Sequence, residues 1–273
     1  FRTLMIGSRQ VEAVIRHDKV RAVTLTGSTP AGKAVASTAG SVLKKVVLEL
    51  GGSDPYIILE DADVAKAAKT CTFSRMINGG QSCIAAKRFV VVESVREEFE
   101  KHFVEAMSAV KMGDPLAEGT QLGPQARHDL RDELHDQVQR TVQAGAKVLL
   151  GGEIPDDKGA FYPATVLTGV KKGMPAYSEE MFGPVATIIS VKDEAEAIEV
   201  ANDTIFGLAS AVFSENNGEK VAKQIQAGST FVNTFARSDP RLPFGGIKES
   251  GYGRELSKEG IREFMNVKTM YIE

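Results

Sequence analysis

The sequence predicts an α/β protein built on doubly wound parallel sheets. Two observations carry this. Short runs rich in Val, Ile and Leu recur along the chain, and each is separated from the next by a stretch of helical period. Glycine-bearing turns fall where strands would hand over to helices, the arrangement of β-α-β units. The 273 residues suffice for one large domain or two smaller ones with real cores.

In chain order, residues 20–25 read as a strand ending at Thr26-Gly27, residues 30–39 as a helix and residues 45–50 as a second strand. Residues 55–59 are a buried strand, and a helix starts at Asp61-Ala62-Asp63 and runs toward Asn78. Residues 87–92 are a strong strand. Residues 95–112 form an amphipathic helix with Phe99, Phe103, Ala106 and Val110 on one face and Glu97, Glu98 and Lys101 opposite. A charged helix follows over 125–144, then a strand at 146–150 closed by Gly151-Gly152 and an exposed turn at 154–159. Strands at 185–191, 209–213 and 230–234 alternate with helices at 195–202 and 219–226. Residues 267–272 read as an edge or exchanged strand.

Composition narrows the function. Lys plus Arg is 33 and Asp plus Glu is 36, a net charge of −3 with no basic stripe. Nothing here favours nucleic acid or an anionic membrane as partner. No apolar run is long enough for a membrane span, and residues 1–6 turn polar too soon for a secretory signal. Two cysteines, Cys71 and Cys83, make no disulfide framework, so a cytoplasmic, reducing setting is expected. His17, His102, His128 and His135 show no ligand spacing, and no metal site is expected.

Two segments carry chemistry. Leu48-Glu49-Leu50-Gly51-Gly52 and Asn78-Gly79-Gly80-Gln81-Ser82-Cys83 place a carboxylate and a thiol on glycine-flanked loops. A thiolate attacks carbonyl carbon, and a carboxylate activates the water that clears the resulting thioester. A lone free cysteine is most often a small buried hydrophobe, and Cys71, inside a helical stretch, reads that way. Cys83 lies instead on a glycine-rich loop open to reagents. Glu49 ends a strand, which is often a plain solvent-facing terminus. The carboxyl end of a parallel strand is also where α/β proteins build sites, and burial there raises a carboxyl toward neutrality.

These segments resemble the active-site motifs of the aldehyde dehydrogenase superfamily, and the resemblance covers essentially the whole chain. Three further motifs agree: Gly27-Ser28-Thr29-Pro30-Ala31-Gly32; Glu179-Glu180-Met181-Phe182-Gly183-Pro184-Val185; and the long segment from Pro243 through Gly251 to Glu255. The resemblance implies Cys83 as nucleophile and Glu49 as general base. It implies NAD or NADP as cofactor, held by Gly27, Ser28, Gly32, Leu50, Gly51, Glu180 and Phe182. It implies a small aldehyde as substrate and a homo-oligomer as the assembled state. In members that oxidise semialdehydes, a Ser at the position of Ser238 helps hold the distal carboxylate, and an Arg often precedes the Asn matching Asn78. Here that position is Ile77, so Arg237, with Ser238, or Arg241 is the expected anchor.

The expected domains are a remnant of a dinucleotide-binding domain over 1–51, a complete catalytic domain over 52–251, and a return segment with an oligomerisation strand over 252–273. Full family members carry a long part before the residue matching Phe1, including an Asn that donates to the oxyanion. The expectation is therefore a truncated form, with a partial cofactor domain and little activity of its own. Two other classes remain open: a catalytically inactive folded or oligomerising module, and a cysteine esterase or acyl transferase that needs no dinucleotide.

Overall fold

A computed structural model describes residues 1–273. The chain divides into two units, Phe1–Gly51 with Ser238–Glu273, and Gly52–Arg237. The division expected at residue 251 thus falls at 237. The reason is hydrogen bonding: Gly251–Tyr252 adds a strand antiparallel to Lys45–Glu49, and the Ser250 hydroxyl donates to the Gly51 carbonyl at 2.6 Å.

The smaller unit opens with α1 (Ser8–Arg16), β1 (Ala22–Thr26), α2 (Thr29–Ser41) and β2 (Lys45–Glu49). β1 and β2 pair in parallel, Thr26 opposite Glu49. Ser28 caps α2, and Pro30 sits in the first turn, where its missing N–H costs nothing.

The larger unit holds β3 (Pro55–Ile58), α3 (Val64–Met76), β4 (Arg88–Val92), α4 (Glu93–Ser108), α5 (His128–Gln143), β5 (Lys147–Leu150), β6 (Thr165–Thr168), α6 (Pro175–Ser178), β7 (Val185–Val191), α7 (Glu194–Asn202), β8 (Ala209–Phe213), α8 (Gly218–Ala222) and β9 (Ser229–Val232). Its seven strands run β5-β6-β7-β4-β3-β8-β9, parallel except for β5. Alternation decides the faces. Tyr56, Ile58, Phe89, Val91, Ala211 and Phe213 pack with α3 and α4, around the stacked rings of Phe99 and Phe103. Ile57, Val90, Val92 and Val212 pack on the opposite face with Ala197, Ala201 and Val221 of α7 and α8. Both faces are covered, as parallel sheets require.

The smaller unit closes with β10 (Gly251–Tyr252) and α9 (Ser257–Glu263). Residues 267–272 form no strand. Val267, Met270, Tyr271 and Ile272 are exposed, and a segment with no neighbouring strand has no ladder to complete. The helix expected at 219–226 shortens to α8, while α1, β6, α6, β10 and α9 were not read from the sequence. No helix is long and apolar enough to cross a membrane, and no group of three or more His, Cys, Asp or Glu gathers as metal ligands.

Candidate active site

Cys83 sits beyond the C-terminal end of α3, in the larger unit. Helix α3 stops at Met76 because the next turn changes hand: Asn78, Gly79 and Gly80 adopt φ of 51°, 63° and 75°. Two of the three are glycines, which enter this region freely, and Asn is the side chain that tolerates it best. A Cβ on Gly80 would collide with the Gly183 carbonyl, so that residue is dictated by close backbone approach as well. The turn is tied down by Asn78 Nδ2 donating to the Gln81 carbonyl at 2.9 Å, and by Gln81 Oε1 accepting from Ala126 N–H at 2.8 Å.

The Cys83 thiol is half-buried. Burial pushes it above the usual thiol range; the nearby Lys87 ammonium pulls it back, and the Asp54 and Glu180 carboxylates push it up. The loop is therefore less open than its glycines suggest. Cys71 is wholly inside α3, with its thiol raised well above the ordinary value by burial. Brief treatment of the folded protein with iodoacetamide should carbamidomethylate Cys83 first. Peptide mass spectrometry checks this, and preferential labelling of Cys71 would refute the assignment.

Three titratable groups surround this loop, all within the larger unit. Glu180 Oε1 accepts the Gly52 N–H at 3.0 Å and lies 3.4 Å from the Lys87 ammonium. Lys87 Nζ also donates to the carbonyls of Ser82, Cys83 and Ala85. Asp54 is wholly buried; its Oδ1 accepts from Ala209 N–H at 3.1 Å, and burial raises it to about 7 despite Lys87. A Cβ on Gly52 would lie 2.8 Å from the Cys83 carbonyl, so the backbones meet closely here. Arg75 donates to the Gly80 carbonyl at 2.7 Å and to those of Met181 and Val185, binding the Cys83 turn to the segment that carries Glu180 and Phe182. Phe182 is exposed. Lys87, Asp54 and Arg75 were missed in the sequence, where the only sign was charge set just before two apolar strands and inside a helix.

A cavity of about 630 Å³ opens at Met76 and Ile77, with Lys69, Phe73, Ala106 and Val110 on its walls. Phe73 packs edge-on against Phe235 at 4.9 Å, and the Arg237 guanidinium lies over Phe235, 5.5 Å from the ring centre. Arg241, in the smaller unit, is already engaged by Asp239 at 2.6 Å. Ser238 is exposed.

In the smaller unit, Glu49 ends β2 and is buried, with neither carboxylate oxygen hydrogen-bonded. Burial raises it to about 7; the Glu255 carboxylate adds to the rise and Arg254 opposes it. Both neighbours come from the segment that runs from Pro243 to Glu255. That segment approaches tightly: a Cβ on Gly245 would lie 2.7 Å from Glu49 Oε1, and one on Gly251 would overlap the Leu48 carbonyl.

The Gly27-Ser28 turn lies at the N-terminus of α2, whose first turn holds no acidic residue. Its uncompensated dipole suits an anion. Gly27 keeps ordinary clearance, whereas a Cβ on Gly32 would meet Leu50 Cδ2 at 2.5 Å. Gly32 thus serves helix-on-strand packing, with Leu50 as its counterpart. The Leu50 N–H donates to the Ser250 carbonyl at 3.0 Å, so the Leu50-Gly51 backbone is held in place by Ser250.

Residues 3–270 match the model of the aldehyde dehydrogenase family. The chain belongs to the aldehyde dehydrogenase family. It is 48% identical over 274 residues to a probable succinate-semialdehyde dehydrogenase [NADP(+)] of Synechocystis, covering 100% of this chain and 60% of that protein. It is 49% identical over 263 residues to a succinate semialdehyde dehydrogenase [NAD(P)+] of Escherichia coli, covering 96% and 57%. Among solved structures, succinic semialdehyde dehydrogenase from Streptococcus pyogenes, in complex with NADP+, superposes with a TM-score of 0.96 at 42% identity over 98% of this chain and 60% of that one. This aldehyde dehydrogenase chain thus spans about 60% of the length of the curated relatives it matches.

Proposed function

We propose that the protein acts as an NAD(P)-dependent aldehyde dehydrogenase on a short semialdehyde, succinate semialdehyde first among candidates. The observation that carries this reading is Cys83, half-buried just after a left-handed turn and close to Asp54, Lys87 and Glu180, in a chain 48% identical to a relative named for that reaction.

In this proposal the Cys83 thiolate adds to the aldehyde carbon and forms a tetrahedral thiohemiacetal. The Cys83 N–H donates to its oxyanion, which is where fixed donors lower a barrier most. The α2 N-terminus with Gly27 and Ser28 would face the pyrophosphate, and Glu180 and Phe182 the nicotinamide end, with Leu50 and Gly51 beside it. When bound there, the dinucleotide supplies the acceptor for the hydride that leaves the thiohemiacetal carbon. Glu49, as carboxylate, takes a proton from water; the hydroxide attacks the thioester, the C–S bond breaks, and the acid leaves with the thiolate restored. Association of copies through the exposed residues 267–272 belongs to the same reading.

The substrate proposal rests on Arg237. Its guanidinium lies over Phe235, which packs on Phe73 at the cavity wall, whereas Arg241 is already held by Asp239. Arg237→Ala, in a protein of the relatives' full length, should raise KM for succinate semialdehyde about tenfold, the worth of one charge-assisted hydrogen bond. KM for an uncharged aldehyde of similar size should stay unchanged. Steady-state kinetics on both substrates decides it, and equal effects on the two would remove Arg237 from substrate recognition. The whole reading is tested by following dinucleotide reduction with succinate semialdehyde: turnover supports it, and no turnover in a protein of full length overturns it.

A further inference from the structure

Lys87 immediately precedes strand β4, yet its side chain is wholly buried. A buried ammonium is costly unless all its hydrogens are satisfied. Here all three are spent on one loop: the carbonyl oxygens of Ser82 at 3.1 Å, Cys83 at 2.8 Å and Ala85 at 3.1 Å. These carbonyls bracket the nucleophile, since the first precedes the Cys83 α-carbon and the second follows it.

A peptide unit is planar, and in its trans form the carbonyl and the next N–H point in opposite directions. The Ser82 carbonyl and the Cys83 N–H belong to one such unit, and the structure has no cis peptide bonds. Holding the Ser82 oxygen therefore holds the direction of the Cys83 N–H. Holding the Cys83 oxygen fixes the following plane, so both torsions at the nucleophile are constrained. The anchor is itself anchored. Glu180 lies 3.4 Å from the ammonium, and the backbone N–H of Lys87 donates to the Asp54 carbonyl at 3.2 Å.

We infer that Lys87 is a positioning residue for Cys83: its ammonium clamps the Ser82–Cys83 peptide plane and so aims the Cys83 N–H at the oxyanion formed when the thiol adds to a carbonyl. The inference rests on the thiohemiacetal reading above. The same charge acts on the thiol. The groups facing Cys83 are Lys87, Asp54 and Glu180, and those facing Lys87 are Glu180, Arg75, Asp54 and Cys83. Without the ammonium, two carboxylates face the thiol with their nearest counter-charge removed.

The test needs no cofactor and uses the 273-residue chain. Two reactions of Cys83 are compared: acylation by p-nitrophenyl acetate, which forms an oxyanion, and alkylation by iodoacetamide, which forms none. Both consume thiolate, so their ratio cancels changes in ionisation and reports oxyanion stabilisation. In Lys87→Met the ratio should fall on the order of 10²-fold, the usual effect of losing one oxyanion donor. The alkylation pH profile should move up by about one unit, because an attractive charge is gone. Lys87→Arg keeps the charge but offers a planar fork in place of three converging hydrogens. Its pH profile should match the parent while its ratio falls. If Lys87→Met fails to fold, the Lys87→Arg ratio decides alone.

A lysine that merely supports the fold would lower the melting temperature and slow both reactions together. A ratio equal to the parent's therefore overturns the inference and leaves the dehydrogenase reading standing. A parent chain that is alkylated but never acylated overturns the inference, while the dehydrogenase reading is decided by turnover in a protein of the relatives' full length.

Discussion

Under the proposed mechanism, Cys83→Ala is expected to lower aldehyde oxidation by a factor on the order of 10⁵–10⁶, as loss of a covalent nucleophile does. No second thiol can take its place. Cys71 is wholly buried in α3, with its thiol held protonated by the apolar surroundings. The neighbouring Ser82 has its carbonyl held by the Lys87 ammonium. Binding is expected to survive, because Cys83 packs on a loop and not in the core. The measurement is dinucleotide reduction by the variant in a protein of the relatives' full length, with a thermal melt as control. Turnover within tenfold of the parent, with an unchanged melt, would show that the thiol is not the nucleophile.

Glu49→Gln is expected to slow thioester hydrolysis by 10²- to 10⁴-fold, roughly the worth of a general base, and to leave acylation nearly unchanged. The expected trace is one rapid burst of product followed by slow turnover. The pH dependence has a definite sign. Burial and Glu255 raise Glu49 to about 7, and only the carboxylate accepts a proton from water. Hydrolysis in the parent should therefore climb as pH passes through about 7 and level off above it, while the variant's profile is flat across that range. Stability carries the opposite sign. A carboxyl raised from 4.5 to about 7 contributes stability that is present below pH 4.5 and lost as pH rises through 7. Glu49→Gln should accordingly melt above the parent at pH 8, with the difference closing toward pH 5. Unchanged steady-state hydrolysis at pH 8 would exclude Glu49 as the base.

Strands 185–191 and 209–213 were legible to the residue, because each is a run of apolar and β-branched residues long enough to read. Strand β6 was not: Thr165–Thr168 has four residues and no alternation, and only its pairing with β5 and β7 makes it a strand. Helix α8 ends at Ala222, four residues before the sequence suggested, and residues 267–272 stayed out of any sheet. In each case the local pattern permits an element, and the neighbours decide whether it forms and where it stops.

The site divides along the same line. Cys83, Glu49, Ser28, Glu180 and Phe182 stand out in the sequence because their residue types and glycine-marked turns lie within a few residues of each other. That information is local, and so are the turn chemistry and the alternation of strands with helices that announce an α/β fold. What tunes these groups is remote in sequence. Burial raises the Glu49 carboxyl most, Glu255 adds to the rise and Arg254 opposes it, both brought alongside when Gly251–Tyr252 pairs with β2. Cys83 is flanked by nearby Lys87 and by Asp54 and Glu180, which come from distant stretches of the chain. Lys87 looks like a surface lysine until the sheet buries it. A residue's kind is written in the sequence, but its proton affinity depends on burial and on the charges within a few ångströms, and only the packed tertiary structure sets those distances.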